Sequence, residues 1–193
     1  MYLLIQVLGL FLLFIAAAIV VLFIPGFGVL AKNRKSLEDA EIITLSLSLG
    51  IVLFVLASIA LSLFHLRFLM LPAILVVNLF VISKYKLDVF APWKVFIRNK
   101  VLLVMIVIGI LTQGFINFPS GYSFADGLYF WSSQGHDGLW HVASMEAIKQ
   151  SIPPQNPGFA GEPVMNYHYL VDVLMGEFAR IFPGFSSLDL SFR

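Results

Sequence analysis

The sequence contains no cysteine, and only 12% of its 193 residues are charged. Without cysteine there is no disulfide framework, no thiolate zinc site and no cysteine nucleophile. A cysteine-free chain fits either side of a membrane. The scarcity of charge is more decisive. Soluble domains carry roughly a quarter charged residues and about half apolar ones, whereas 60% of this chain is hydrophobic and its mean hydropathy is +0.94. A water-soluble fold of this length cannot hide so much apolar surface, because surface-to-volume scaling leaves much of it exposed. Lipid must cover it. A net charge of +1 excludes a strongly basic nucleic-acid binder, so no nucleic-acid partner is expected. Also missing are a glycine-rich phosphate loop of the Walker or dinucleotide type and a Gly-x-Ser-x-Gly elbow. The N-terminus lacks a basic leader, and its apolar run from Leu3 to Val29 exceeds a signal-peptide core, so a retained membrane anchor is expected.

What is present is a series of apolar runs. About 20 apolar residues cross a bilayer as a helix. The first run, about 3–24, is uncharged and is punctuated by Pro25-Gly26. A polar loop follows, with Lys32, Arg34 and Lys35, in which Ser36 and Asp39 read as a capping box opening the second run, about 42–64. The third run, about 68–82, is shorter and contains Pro72, which predicts a tilted, kinked or partly re-entrant segment. Residues 83–100 interleave five basic residues with Val89, Phe90, Trp93, Val95, Phe96 and Ile97, the pattern of an interfacial amphipathic helix. A fourth run, about 101–116, ends at Asn117-Phe118-Pro119.

Basic residues count three, one and five in the first, second and third loops. The positive-inside rule then places loops one and three in the cytoplasm. With four crossings, both the N-terminus and residues 119–193 lie outside. The expected fold is all-α integral membrane: a transmembrane region over 1–118, then an extracytoplasmic loop over 119–193. That loop holds an amphipathic interfacial helix and the start of a further helix. A plasma-membrane location follows from this reading.

Residues 119–193 hold seven of the eleven acidic residues, three of the twelve Lys and Arg, and three of the four histidines. Chemistry belongs there if anywhere. Ser120–Gly135 is rich in Gly, Ser and aromatics without helical periodicity. His136–Ser151 reads as a helix with Leu139, Trp140, Val142, Met145 and Ile148 roughly on one face, able to float at the membrane surface. Residues 152–163 form a Pro/Gly-rich loop, and Asn166–Phe182 reads as a second helix whose apolar face is broken by Asp172, Glu177 and Arg180.

Asp137 stands at the start of the first of these helices, where the backbone N–H groups and macrodipole attract negative charge. A carboxylate there can act as general base or metal ligand, or simply as a cap, the commoner role by position alone. His141 follows four residues on, one turn along the same face, while Glu146 falls off it. Trp140 and the tyrosines suit an aromatic belt at the interface as well as ligand stacking. His168, between Tyr167 and Tyr169, suits a structural hydrogen bond as well as a ligand contact. Asp172 and Glu177 are five positions apart, a weak paired-carboxylate spacing, and Arg180 is placed to pair with Glu177. Asp137, His141 and His168 could hold a metal, without diagnostic spacing.

The string HDGLWHVASMEAIKQSIPPQNPGFAGEPVMNYHYLVDVL resembles the first external loop of the GT-C superfamily, membrane glycosyltransferases that use polyprenyl-phosphate sugars. It looks most similar to a bacterial and archaeal branch with extra N-terminal helices. Both show an Asp, an aromatic and a His after a transmembrane helix, then a Pro/Gly loop and a Tyr-His-Tyr helix. The opening IPGFGVL…EIITLSLSLG also looks like the helix pair preceding the core of such proteins. The Asp-x-x-x-His spacing of Asp137 and His141 is similar to that of oligosaccharyltransferase catalytic subunits. The resemblance implies that Asp137 is the catalytic aspartate, acting as base or helping to hold a divalent metal such as Mg or Mn. His136, His141, Tyr167, His168 and Tyr169 would contact substrate or carrier phosphate. It implies an incomplete GT-C-like fold, with a missing C-terminal half or a partner membrane subunit. The rival expectation is a non-catalytic scaffold or assembly subunit whose external segment docks a partner. A transporter is least favoured, because the four runs hold no ionisable residue.

Overall fold

The computed structural model describes residues 2–117, 120–165 and 167–192. Phe118-Pro119 at the end of the fourth run, Asn166 of the expected second external helix, and Arg193 lie outside the described residues. The chain forms two compact units, Met1–Ile106 and Val107–Arg193.

The first unit opens with α1 (Tyr2–Ala18), which runs through a π-helical turn, Ile19–Phe23, into α2 (Ile24–Leu30). Pro25-Gly26 therefore does not end the first run, contrary to the sequence reading. The reason is the π turn. Ile24 N–H donates to Ile19 O, five residues back, and the next bond in that ladder would need an N–H on Pro25, which has none. The orphaned acceptor is Val20 O. It is taken up by Asn78, whose Nδ2 donates to it at 2.8 Å. In hydrocarbon an unsatisfied carbonyl would cost several kcal/mol, so one buried amide lets the proline stay in mid-helix.

The second helix, α3 (Asp39–Leu63), starts from a capping box made by Glu38 and Glu41, with Glu38 N–H donating to Glu41 Oε2 at 2.9 Å. Ser36 is not the cap, because its hydroxyl donates to Asn33 O at 2.8 Å within the preceding 3₁₀ turn. Two glycines let α3 touch the π turn and α2 backbone to backbone. A Cβ on Gly26 would collide with Ser46 O, and one on Gly50 with Leu22 O. This is the small-residue contact by which helices associate where lipid is as apolar as leucine.

A 3₁₀ turn, Arg67–Leu69, leads into α4 (Met70–Tyr85). Pro72 lies in the first turn of α4, where its missing N–H is not needed, so the stretch Arg67–Tyr85 reaches 19 residues. The expected amphipathic helix over 83–100 is absent. Between the end of α4 at Tyr85 and the start of the next long helix at Lys100, only α5 (Lys94–Arg98), five residues long, is α-helical. Trp93 folds inward instead, its ring 5.6 Å from Phe23 and 5.7 Å from Phe96. These aromatics cover the core of Phe23, Phe27, Ile42, Ile43 and Val81. The last long helix, α6 (Lys100–Asn117), buries none of its side chains.

Four helical stretches, Leu8–Leu30, Asp39–Leu63, Arg67–Tyr85 and Lys100–Asn117, are long and apolar enough to cross a membrane. The protein is mostly helical, as an all-α membrane protein would be.

In the second unit the only strands among the described residues are β1 (Tyr122–Phe124) and β2 (Gly127–Tyr129), an antiparallel hairpin. Gly127 turns it at φ +140, where other residues are strained. Ser120 Oγ accepts from Trp131 N–H at 2.9 Å and closes its base. Three helices follow: α7 (Asp137–Gln150), α8 (Leu170–Ile181) and α9 (Ser187–Phe192). The first of them, α7, packs one side into the unit. Gly138, Ser144, Met145 and Ile148 of α7 are buried, while Leu139 is exposed. The face α8 buries runs through Asp172, Val173, Gly176, Glu177, Phe178 and Ala179. Gly176 permits the α7–α8 contact, since a Cβ there would lie 2.9 Å from both Ile148 Cγ2 and Met145 O. The second helix starts at Leu170, with Tyr167–Tyr169 outside it.

Candidate functional site

A cleft of about 430 Å³ in the second unit is lined by His136, Asp137, Trp140, His141, Tyr167 and His168. One wall is the first turn and a half of α7, which places Asp137 and His141 one turn apart on the same side. The other wall is the segment before α8. It is held by the Pro/Gly loop, which folds back on itself: Asn156 N–H donates to Glu162 O at 2.8 Å, and Val164 N–H to Pro154 O at 2.9 Å. That return carries the chain to Tyr167, whose ring stacks on His168 at 4.6 Å and meets Trp140 edge-on at 5.8 Å. Trp140 is thus committed to the cleft.

Five of the six residues singled out in the sequence come together here. Tyr169 does not line the cleft; it caps the start of α8, where its carbonyl accepts from Val173 N–H at 2.9 Å.

The two histidine–aspartate contacts of the cleft differ sharply. His136 Nδ1 and Asp137 Oδ1 lie 2.7 Å apart, but their side chains are 94% and 73% exposed. Such a pair is held weakly against water and salt. His141 Nδ1 lies 2.8 Å from Asp172 Oδ1, and here the side chains are 40% and 3% exposed. Asp172 sits on the buried face of α8, behind His141. Burial pushes its carboxyl above the usual carboxylate range, against the hydrogen bond and charge of His141 and the charge of His168. Its second oxygen, Oδ2, is buried without a hydrogen-bond partner among the described residues.

Sequence reasoning missed Asp172 as a member of the site. The signal was its place on the apolar stripe of α8, where a carboxylate must either pair or be expelled. The other acidic residues serve elsewhere. Glu177 pairs with Arg180, whose Nε donates to Oε2 at 3.0 Å. Glu146 accepts from Ser187 Oγ at 2.6 Å and from Lys149; these bonds hold its carboxyl below its usual range although partial burial pushes the other way.

No three His, Asp or Glu side chains converge as a metal-holding set among the described residues. Asp137 brings one carboxylate to the cleft, and Mg²⁺ is commonly held by one or two carboxylates together with substrate phosphates.

No family model, curated protein or solved structure matches this chain.

Proposed function

We propose that this chain is the N-terminal part of a polytopic membrane glycosyltransferase, acting on the outer face of the plasma membrane with a sugar carried on a polyprenyl phosphate. The observation that carries the reading is the cleft, in which Asp137, His136, His141, Tyr167 and His168 meet around a space of about 430 Å³. It offers a carboxylate for an acceptor hydroxyl, imidazoles for a phosphate, and aromatic faces for a sugar ring. Asp137, at the exposed rim, receives the acceptor by taking a hydrogen bond from its hydroxyl. His136 and His168 face the carrier phosphate. The basic loops on the cytoplasmic side orient the protein against anionic lipid.

The test is sugar transfer from a labelled polyprenyl-phosphate donor by membranes containing the protein, comparing wild type with Asp137→Asn at matched expression. Weaker transfer at low acceptor concentration, with intact expression, supports Asp137 as the residue that receives the acceptor. Equal transfer at every acceptor concentration removes Asp137 from the site.

A second reading, a scaffold or assembly subunit, draws on the hairpin, where Phe124, Leu128, Tyr129 and Trp131 are all exposed. Aromatic clusters of this kind anchor protein contacts. Absence of transfer by wild type, together with stable co-purification of another membrane protein through the hairpin, would favour it.

A further inference from the structure

We infer that His141, oriented by Asp172, is the proton acceptor of the cleft and that Asp172 is its positioning residue. The inference rests on the transferase reading for its substrate, but its geometry does not.

The argument starts from the cost of Asp172. A carboxylate buried in a helix interface is expensive unless fully hydrogen-bonded. Asp172 is 2% exposed and leaves Oδ2 without a partner among the described residues. An apolar residue at this position would continue the stripe of Val173, Gly176 and Phe178 at no such cost. Carboxylates kept at a stability cost beside a cleft are candidates for chemistry. What Asp172 does is clear from its hydrogen bond among the described residues: Oδ1 meets Nδ1 of His141 at 2.8 Å.

An ionised carboxylate has no hydrogen to give, so Nδ1 must carry the proton of that bond. In the neutral ring this leaves Nε2 as a bare lone pair. His141 reaches the cleft from α7 with its side chain 40% exposed, while Asp172 behind it is sealed at 3%. One face of the imidazole is therefore buried in a fixed bond, and the other is open to substrate. Tyr167 restricts the ring further, with centroids 6.4 Å apart. The His136–Asp137 pair in the same cleft has no comparable anchor, since both partners are largely in solvent. A base must be held in place as well as be basic.

In the step this implies, the acceptor O–H gives its proton to His141 Nε2 as its oxygen bonds to the sugar's anomeric carbon. The bond from that carbon to the phosphate oxygen breaks, and its electron pair leaves on the phosphate. The imidazolium is matched by the Asp172 carboxylate. Asp137 binds the acceptor and does not take the proton.

The experiment uses the whole chain in lipid nanodiscs, labelled with ¹⁵N-histidine, with His141 assigned by the signals lost in His141→Gln. The expected result is a neutral His141 protonated at Nδ1, moving to the Nε2–H form in Asp172→Asn. Carbethoxylation by diethyl pyrocarbonate, mapped by mass spectrometry, should be faster at His141 in wild type than in Asp172→Asn. A wild-type His141 protonated at Nε2, or a tautomer and reactivity indifferent to Asp172→Asn, overturns the inference. Hydrogen exchange over 137–192 establishes that the variant keeps its α7–α8 packing, and Asp172→Glu provides a second acidic partner if Asn does not fold. Turnover then separates the inference from the function. His141→Gln and Asp172→Asn should lower kcat by about 10²–10⁴-fold, the usual reach of general base catalysis, while Asp137→Asn acts mainly on KM. Retained kcat in His141→Gln sinks the base assignment. Wild type without transfer, but with the expected tautomer and reactivity, sinks the transferase reading alone.

Discussion

The two units of this chain solve the same problem, polar groups in an apolar interior, in opposite ways. In Met1–Ile106 the buried polar groups are neutral: Asn78 bonds the carbonyl that Pro25 orphans, and Ser58 Oγ donates to Phe54 O at 2.7 Å. Close backbone contact through Gly26 and Gly50 does the rest. In Val107–Arg193 the interior holds charge. Asp172 and Glu177, both on the buried face of α8, are matched by His141 and Arg180. Neutral bonding suffices where the structure only has to pack in lipid. Charge is buried where its partner reaches outward: His141 opens into the cleft shared with Asp137 and Tyr167, and Arg180 into a separate one lined by Lys149 and Asp189.

The largest effect that would break this contrast comes from Arg180→Ala. It takes the guanidinium away from Glu177, whose side chain is 0% exposed, and breaking a buried pair from one side costs about 3–5 kcal/mol. Hydrogen exchange across 137–192 should show opening of α8 in that variant, and unchanged protection would mean that the pair is dispensable. Next in size is Gly50→Val in the first unit. The added side chain must displace the Leu22 backbone, and overpacking of this sort costs about 1–3 kcal/mol or more. A lower melting temperature in detergent, with faster proteolysis of the 31–38 loop, is the expected outcome. Gly176→Ala is the counterpart in the second unit, milder because Ile148 Cγ2 can shift although Met145 O cannot. It should loosen the α7–α8 contact and lengthen the His141–Asp172 bond, read as a partial shift of the His141 tautomer.

How much of this could be read from the residues divides along the same line. The four long helical stretches were legible because an uncharged run of about 20 residues has few alternatives. Their details were not. Pro25 reads as a helix end because its missing N–H is local and visible, whereas the amide that compensates it, Asn78, lies 58 residues from the Val20 carbonyl it bonds. Ser36 reads as a cap because its spacing to Asp39 is right, yet its hydroxyl was already engaged with Asn33. Trp93 reads as an interfacial residue until Phe23 is seen beside it. In the candidate site, Asp137 and His141, one helix turn apart, could be grouped by periodicity. Asp172 could not, because its meeting with His141 spans 31 positions and depends on Gly176 admitting α8 against α7.

A smaller effect sharpens the first unit's side of the comparison. Asn78→Leu keeps the volume but leaves Val20 O without its donor. Side-chain hydrogen bonds between membrane helices are worth about 0.6 kcal/mol on average and up to about 1.7 kcal/mol. A drop of that order in detergent unfolding is expected. Asn78→Asp, which loses the amide donor and adds charge, should do worse. No change in either variant would mean that water serves the carbonyl.

The smallest expected effect is also the most diagnostic, because it carries a pH signature. The carboxyl of Asp172 is raised by burial, in the presence of His141 on α7 and of His168 just before α8. Its folded value therefore lies above that of the unfolded chain, about 3.9 for an aspartate. The folded state then holds the proton more tightly than the unfolded state does. By linkage, the contribution of Asp172 to stability is fully present below the unfolded value and is lost as pH rises through the folded one. Glu146 runs the other way. Its carboxyl is held below its usual range, so its contribution is present above the unfolded value and is lost as pH falls through the folded one. Comparing wild type with Asp172→Asn cancels the Glu146 term, which both share. As pH rises from the acid range to neutrality, the stability of α7 and α8 in wild type should fall relative to the variant. Hydrogen exchange at matched intrinsic rates would follow it. A difference that is flat with pH would mean that Asp172 bears no net burden from its charge. The physical argument for its being kept as a positioning residue would then fail with it.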